Sequence, residues 1–454
     1  MNTYAILAAY AGFATIALAL TFRTHRAAIK RCVTLLPKSV AALGRGLTEY
    51  YTNRSHLHIL LRSCSIVACA ALCLFFFSKL PNPLDQSRVD TFFTYNHYNV
   101  QARSWINGRL DIPDPIPDGC VFKDKLYVVY GLYPTHVYLP LVAVFGEKFF
   151  FLVLGLVVFA LSVLFMARTL RRLSVSNENI VWLLMAFFWG TGYWMVLRSA
   201  DGVSSIAHIF CVLMLIMTFC ETVGRSRGWL IGLFLGGAFL SRFLAIFFFV
   251  FVLAYLWGTV RYGCPAKRIR NILSFLLTFG LCFCLYCGYN WMRFGNVMET
   301  GYTYVQTISF VQARIAEYGI TSLHFVPFNF VHMFIQGFHI EFTGDDLLTV
   351  TSMDPFGTAL TIASPFVFVA LWARWNPWAL VGGWISVALV ILSLLCVHNN
   401  GWVQYNCQRY TLDFLPFAMI FVARGLDRVH PLVWRSLIAI SLLLNVITLQ
   451  IVPS

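Results

Sequence analysis

The sequence predicts an all-α, polytopic membrane protein, a single integral membrane domain over residues 1–454 in which about twelve helices cross the bilayer. The first observation is composition: of 454 residues, 59% are hydrophobic and 11% are charged, and a soluble domain carries far more charge. The second is that apolar runs of about 18 or more residues recur along the chain, each long enough to cross ~30 Å of hydrocarbon. The third is that lysine and arginine concentrate in short loops, as on the cytoplasmic side of membrane proteins.

The positive charge orients the predicted helices. The net charge is +14, but no basic stripe interleaved with aromatic residues is present, so we expect no nucleic-acid partner. Residues 23–62 contain eight lysines and arginines against one acid, Glu49, which places them in the cytoplasm. Residues 1–22 lack a preceding basic stretch, so we interpret them as a spanning helix and not as a cleaved signal. The predicted spans are 1–22, 63–80, 149–167, 180–198, 205–222, two within 229–259, 271–289, 358–373, 379–397, 411–423 and 433–451.

The stretch GGAFLSRFLAIFFFVFVLAYLW, at 236–257, contains an arginine, Arg242, inside an apolar run. An arginine at the centre of a spanning helix costs on the order of 3 kcal/mol. Basic clusters flank the run on both sides, and two clusters on the same side of a membrane require an even number of crossings between them. We therefore expect residues 229–259 to form a hairpin whose outer turn lies near LSRF, with Arg242 at the outer ends of two helices.

Two large loops lie on the extracytoplasmic side in this topology, residues 81–147 and 290–356. The apolar piece YPTHVYLPLVAVFG in the first loop is too short to span, so it is predicted to be a juxtamembrane helix. The cytoplasmic loops after 23–62 are short and basic. This asymmetry places any chemistry on the periplasmic or luminal face of an inner or plasma membrane.

Polar side chains at the outer ends of the spans are the candidate site residues. Asp85 and Asp90 lie just past a spanning helix, where a carboxylate can act as general base for a hydroxyl or simply be a solvated loop charge. Arg242 carries the fork that binds phosphate oxygens bidentately, at the depth of a lipid headgroup, and Arg409 is a second outer cation. The alternative for each arginine is a snorkelling anchor or an ion pair, and Asp413 is spaced i,i+4 from Arg409.

Further candidates lie at the end of the first loop and at other outer turns. Aromatic residues at this depth are usually interface anchors, and a minority stack on sugars or order a lipid phosphate. The acidic cluster EFTGDD offers oxygen ligands for a divalent cation, but we assign no metal and no cofactor. Cys120 and Cys407 both lie outside in this topology, which leaves a disulfide between them open. The remaining candidates are Lys125, Arg293, Tyr127, Tyr133, His136, Asp201 and His208.

Four stretches of the chain carry a resemblance to a known family. The first is NVQARSWINGRLDIPDP followed by DKLYVVYGLYPTHVYLPLVAVFG. The others, in order, are NWMRFGNVMETGY at 290–302, DPFGTALTIASPF at 354–366 and GWVQYNCQRYTLDFLPF at 401–417. In this order the stretches resemble recurrent pieces of the GT-C superfamily of integral membrane glycosyltransferases, which includes the protein mannosyltransferases and the lipid A aminoarabinose transferase.

The resemblance implies a GT-C-like architecture and a chemistry. The donor is a sugar linked to a polyprenyl phosphate, and an acid of the first loop deprotonates the acceptor hydroxyl of a lipid, polysaccharide or protein, with inversion at the sugar. Asp90 is the first choice for this base and Asp85 the second. Related sequences carry the acid nearer the helix where this chain has Asn96 and His97, so His97 is a third choice. The residues assigned to the donor phosphate are Arg242, Arg409, Lys125 and Arg293, and those assigned to substrate are Tyr127, Tyr133, His136, Asp201 and His208.

Two other functions stay open at this point. A transporter or flippase of lipid-linked sugars would show interrupted helices at matching positions in two halves, and the two halves of this sequence differ. A ligase that moves whole glycans from a lipid diphosphate would share the outer basic residues, and only the donor separates it from the first reading. The sugar, the prenyl carrier and the acceptor are not identified by the sequence.

Overall fold

A computed structural model of the protein describes residues 56–85, 96–146, 151–200, 203–258, 265–399, 404 and 406–451. The chain divides into two compact units, Met1–Leu80 and Pro81–Ser454. In the first unit the described element is helix α1 (His56–Ser78), which contains most of the predicted span 63–80. The predicted span 1–22 lies outside the described residues.

The second unit is mostly helical, which confirms the predicted helical class, and it also contains two short antiparallel hairpins that the sequence did not predict. Its α-helices are α2 (His97–Ile106), α3 (Leu132–Phe145), α4 (Phe151–Arg172), α5 (Asn177–Trp189), α6 (Tyr193–Arg198), α7 (Val203–Thr222), α8 (Gly228–Ser241), α9 (Phe248–Gly258), α10 (Pro265–Phe294), α11 (Ser309–Tyr318), α12 (Val326–Phe330), α13 (Leu360–Ala363), α14 (Pro377–Cys396), α15 (Leu415–Gly425) and α16 (Pro431–Ile451). Its strands are β1 (Cys120–Phe122), β2 (Lys125–Tyr127), β3 (Ile340–Thr343) and β4 (Thr349–Met353).

Within the described part of the chain, five helices are long and apolar enough to cross a membrane, and the predicted number of about twelve is not confirmed. The five are α4, the stretch Ser205–Thr222 of α7, α10, α14 and α16. Three of the other predicted spans are not continuous α-helices. Span 180–198 divides into α5 and α6, span 358–373 divides into α13 and a 3-10 helix, and span 411–423 begins in a 3-10 helix before α15. Hydropathy detects an apolar run but not a change of helix type within it.

The interruptions expose backbone carbonyl groups that polar side chains satisfy. Between α5 and α6, Asn445 of α16 donates from Nδ2 to the carbonyl oxygens of Trp189, at 2.6 Å, and Thr191, at 3.2 Å. Ser364, at the break after α13, donates from Oγ to the carbonyl oxygen of Gly190 at 2.6 Å. Because an apolar interior offers no water to a free carbonyl, irregular backbone there needs such donors.

Helix α8 packs closely against α10 through a row of glycines. Gly228, Gly232 and Gly236 recur every four residues, the spacing that lets two helix backbones approach. A Cβ added to Gly232 would collide with Thr278, and one added to Gly236 would collide with Cys282. The row therefore fixes how α8 lies on α10, and α8 in turn packs against α7.

The two predicted outer loops contact each other. In the first loop β1 pairs with β2, with Cys120 opposite Tyr127. Val305 of the second loop forms a bridge to Cys120, and the backbone N–H of Gln306 donates to the carbonyl oxygen of Gly119 at 3.0 Å. Residues from both loops therefore form one wall beside the helices.

Candidate functional site

The break after helix α8 positions the central side chain of the site. Helix α8 ends at Ser241, and Arg242 follows in an extended conformation with φ −144° and ψ 116°. A 3-10 helix, Phe243–Phe247, then leads into α9. The chain therefore breaks at LSRF, where the outer turn of a hairpin was predicted, and the hairpin across the membrane stays a prediction. Gly131, the N-cap of α3 in the first loop, packs on this break, because a Cβ there would lie 2.7 Å from the carbonyl carbon of Ser241. The first loop therefore reaches the break directly.

Arg242 forms a buried ion pair with Asp413. Its Nε donates to Asp413 Oδ1 at 3.1 Å and its Nη2 donates to Oδ2 at 2.7 Å. The Asp413 side chain is 1% exposed, and the Arg242 side chain is 18% exposed. His208 of α7 lies on the other side of the carboxylate, with Nδ1 3.4 Å from Oδ1. The ion-pair alternative for Arg242 is thus realised, and three segments far apart in sequence meet at one carboxylate.

The alternative pairing of Arg409 with Asp413 is wrong. The segment Arg409–Asp413 is a 3-10 helix, with about three residues per turn, so side chains at i and i+4 point about 120° apart instead of sharing a face. Asp413 faces Arg242, and Arg409 makes no ion pair among the described residues. The backbone N–H of Arg409 donates to Gln404 Oε1 at 2.7 Å.

Tyr410 lies between the two arginines. The guanidinium carbon of Arg242 is 4.9 Å from the centre of the Tyr410 ring, and that of Arg409 is 5.6 Å from it. The His208 ring centre is 5.6 Å from the same ring. Contacts of this kind are cation–π interactions, which attract a guanidinium to an aromatic face. Arg242, Arg409, Asp413, His208 and Tyr410 are called the Arg242 cluster below.

Three tyrosines of the first and second loops interact electrostatically with the Arg242 cluster. The charge of Arg242 acts on the hydroxyl groups of Tyr98 in α2 and Tyr302 in the second loop, and Tyr130 of the first loop interacts with Tyr410. Burial, the largest cause in each case, raises the pKa of all three hydroxyls above the ordinary tyrosine value. They are therefore neutral hydrogen-bond donors at physiological pH.

An acid and a histidine of the first loop lie around Tyr130. The Tyr130 hydroxyl donates to Asp118 Oδ2 at 3.1 Å. The His97 ring packs edge-on against Tyr130 with the ring centres 5.2 Å apart, and its Nε2 donates to the carbonyl oxygen of Pro117. Because a carbonyl can only accept, Nε2 carries a proton, and Nδ1 is the nitrogen available as a base in the neutral ring. His97 and Asp118 thus both contact Tyr130, which interacts with Tyr410 of the Arg242 cluster.

Arg293, near the C-terminal end of α10, contacts the first loop. It is 6% exposed, its Nη1 donates to the carbonyl oxygen of Val128 at 2.6 Å, and its Nη2 donates to Asn290 Oδ1 at 2.8 Å. The guanidinium carbon stacks 4.0 Å from the centre of the Tyr289 ring. Its donors therefore hold the first loop against the end of α10.

The remaining predicted residues of the first loop make contacts of other kinds. Lys125 is exposed on β2, and the ring of Tyr127 lies 5.6 Å from a phenylalanine ring of α10. Tyr133 lies 5.7 Å from a phenylalanine ring of α7 and also contacts α8. His136 is exposed, and its Nδ1 is 2.9 Å from a backbone carbonyl one turn earlier in α3. Of these four side chains, Tyr133 reaches the helices that carry the Arg242 cluster.

Two predicted site residues, Asp90 and Asp201, lie outside the described residues. Asp85 is half-buried in a turn, where its backbone N–H donates to the carbonyl oxygen of Asn82 at 3.2 Å. Of the predicted bases, His97 is therefore the described one that contacts Tyr130, and Asp118 contacts the same side chain.

Neither a metal site nor the disulfide is formed by the described residues. No group of three or more His, Cys, Asp or Glu side chains in that part of the chain could hold a metal ion. Cys120 and Cys407 are both free, buried thiols, so the disulfide alternative is wrong. Cys120 lies in β1, where burial raises the pKa of its thiol to about 11.

Comparisons with protein-family models, with curated proteins and with solved structures found no match. The class that the fold itself defines is a mostly helical protein with at least five membrane-length apolar helices and a buried Arg–Asp pair beside two loop segments. The function therefore has to be argued from the chemistry of the site.

Sequence reasoning missed Tyr98, Asp118, Tyr302 and Tyr410, and it left the partner of Asp413 open. Tyr98, Asp118 and Tyr302 lie inside or beside the quoted family-like stretches, but nothing in their spacing distinguishes them from other loop residues. A pair between Asp413 and Arg409 was one of the alternatives for Arg409, another being a contact with the donor. Pro416, the second residue of α15, is the one local signal that argued against that pairing, because a proline at a helix start places Arg409 and Asp413 before the α-helix.

Proposed function

We propose that this protein is an integral membrane glycosyltransferase that moves one sugar from a polyprenyl-phosphate-linked donor to an acceptor hydroxyl. The observation that carries the proposal is the convergence of two guanidinium groups, at the break after α8, with Gly131 of the first loop and Tyr302 of the second loop. The acceptor class is a lipid, polysaccharide or protein, and the reaction belongs on the extracytoplasmic face of an inner or plasma membrane.

The Arg242 cluster suits the phosphate of the donor. A guanidinium has five N–H donors, and the ion pair uses the one on Nε and one on Nη2. Two donors on Nη1 and one on Nη2 are left for a ligand, and the side chain is partly exposed. Arg409, which has no ion-pair partner among the described residues, supplies a second positive charge across Tyr410. Charge-assisted hydrogen bonds of this kind stabilise a phosphate that leaves.

The first loop supplies the proton acceptor. The acceptor O–H loses its proton to a base of this loop, its oxygen forms a bond to the anomeric carbon, and the bond from that carbon to the phosphate oxygen breaks. The polyprenyl phosphate departs with the electron pair. We assign the base to the first-loop group of Asp90, Asp85 and His97, and we add Asp118 because of its place beside Tyr130. The neutral tyrosines around it order the substrates and limit the access of water, which would hydrolyse the donor.

The test is turnover in proteoliposomes with a panel of polyprenyl-phosphate sugars, measured as release of the free lipid phosphate. Asp90→Asn, Asp85→Asn, Asp118→Asn and His97→Gln distinguish the candidate bases. Asp114→Asn, an exposed acid of the same loop, is the matched control. Arg409→Gln should lower turnover by at least about tenfold, which is the usual scale for a lost charge-assisted contact. Turnover that persists undiminished in Arg409→Gln and in every base variant would contradict the proposal.

A second candidate function is transport of a lipid-linked sugar across the membrane. The specific observation in its favour is that several apolar segments around the buried pair of Arg242 and Asp413 are interrupted. Helices α5 and α6 separate at Gly190, α8 ends before Arg242, and α15 follows a 3-10 turn. Interrupted helices form the substrate sites of many transporters. Movement of a fluorescent lipid-linked sugar between leaflets, without release of lipid phosphate, would favour transport over transfer.

A further inference from the structure

The carboxylate of Asp413 has no spare acceptor atom directed at a ligand. Both of its oxygens receive Arg242, and Oδ1 also faces His208 at 3.4 Å. At 1% exposure it is closed off from solvent. Asp413 therefore acts on a ligand through Arg242, in two ways: it fixes the plane of the guanidinium, and it cancels one positive charge.

The charge balance of the Arg242 cluster has a chemical consequence. The cluster holds two guanidinium groups and one carboxylate, so with a neutral His208 its formal net charge is +1. In a phosphodiester, such as a sugar linked to a lipid by one phosphate, the phosphate carries a single negative charge. A diphosphate diester carries two. A cluster of net charge +1 neutralises the first ligand and leaves the second with one uncompensated charge in a poorly solvated site, which is costly.

We propose that Asp413 is a specificity-determining, positioning residue that selects a lipid with one phosphate over a lipid with a diphosphate. The inference rests on the proposed function, since it concerns the same phosphate site, and it separates the proposed transferase from a ligase that uses lipid diphosphate. Without the carboxylate, the two guanidinium groups would carry +2 and would favour the diphosphate.

The test is equilibrium binding of two lipid-linked sugars, glucose joined to farnesol by one phosphate and glucose joined to farnesol by a diphosphate, to the purified full chain in mild detergent. These diesters carry one and two negative charges, and the ratio of their two dissociation constants is the readout. Asp413→Asn keeps the shape of the side chain and removes its charge, so the ratio should shift toward the diphosphate by about tenfold or more, as expected for one unit charge at short range. Asp413→Glu keeps the charge and should restore the wild-type preference. Asp427→Asn, an exposed acid beyond the opposite end of α15 from Asp413, is the control and should leave the ratio unchanged.

We use the ratio of the two dissociation constants because a purely structural role for Asp413 would weaken the binding of both lipids equally and leave the ratio unchanged. That result would overturn this inference but not the proposed function. Wild-type protein that binds neither lipid would instead contradict the proposed function. If Asp413→Asn does not fold, Arg409→Gln gives the opposite test: it brings the cluster to a net charge of zero, so it should weaken the diphosphate more than the monophosphate. Equal weakening of the two ligands in that variant would also overturn the inference.

Discussion

The packing of α8 on α10 gives the sharpest test of the fold. In Gly232→Ala, the new Cβ would lie 2.6 Å from the carbonyl oxygen of Phe275 and 3.0 Å from the backbone nitrogen of Phe279. The first distance is about 0.8 Å short of the 3.4 Å at which ordinary contact begins, and backbone atoms cannot rotate away as a side chain can. The two helices must therefore separate, and overpacking of this kind costs about 1–3 kcal/mol.

The matched control is Gly280→Ala in α10. A Cβ at Gly280 meets nothing within 4 Å, while both glycines lie inside helices and gain the same roughly 1 kcal/mol of helix propensity on becoming alanine. The propensity gain therefore cancels in the comparison. We expect Gly232→Ala to have a free energy of unfolding about 1–3 kcal/mol below that of Gly280→Ala.

The assay is reversible unfolding in a mixture of mild detergent and sodium dodecyl sulfate, followed by tryptophan fluorescence. The comparison needs the same detergent composition for both variants, because the unfolded state in detergent sets the reference for each. Equal stability of the two variants would refute the close approach of α8 and α10, and with it the placement of Arg242 at the end of α8.

Three further outcomes are expected. The rate of alkylation of Cys120 by iodoacetamide should be low at pH 8 and rise about tenfold per pH unit toward pH 11, because burial raises the pKa of the thiol to about 11. Mass spectrometry of the peptide that contains Cys120 measures the rate, and a rate that stops rising above pH 9 would contradict the burial. Arg293→Gln should lower the free energy of unfolding by about 1–3 kcal/mol and increase amide hydrogen exchange in the first loop, since the carbonyl of Val128 loses its donor. Unchanged exchange would show that this contact does not hold the loop. Asn445→Leu should cost a similar amount, about 1–3 kcal/mol, because the carbonyls of Trp189 and Thr191 lose their donor, and a thermal melt unchanged from wild type would refute that role.

The helical class and the break at Arg242 were predictable because each rests on a strong local signal. Apolar composition sets the class, and the two basic clusters around 229–259 force an interruption between them. The number of crossings was less predictable. A run such as 180–198 has the hydropathy of a span, yet the Gly-Thr-Gly sequence at its centre divides it, and the carbonyls freed there are satisfied by Asn445, far along the chain. Hydropathy averages over such a break and cannot detect it.

Part of the candidate site was predictable as single residues, but its geometry was not. Arg242, Arg409 and His208 were identified from their chemistry, because ionisable groups near apolar segments are rare, and His97 was identified from the family resemblance. Their partners were not, because the contact between Arg242 and Asp413 joins residues 171 positions apart. Only the packing of the helices brings such residues together, and no local pattern in the sequence encodes it.

The Arg242–Asp413 pair is better explained by a need to hold a guanidinium in place than by a need for stability. A buried ion pair loses about as much in desolvation as it gains in attraction, and apolar residues of similar volume would often be at least as stable. A snorkelling arginine would extend toward water without a partner, whereas Arg242 is fixed at both Nε and Nη2 by a carboxylate that is itself closed to solvent. Two of the five N–H donors of Arg242 are therefore used to orient the guanidinium, and the three remaining donors lie in a defined plane. Such preorganisation has a use where a charged ligand must be received in one geometry, which is why a phosphate site explains this arginine better than an anchor does.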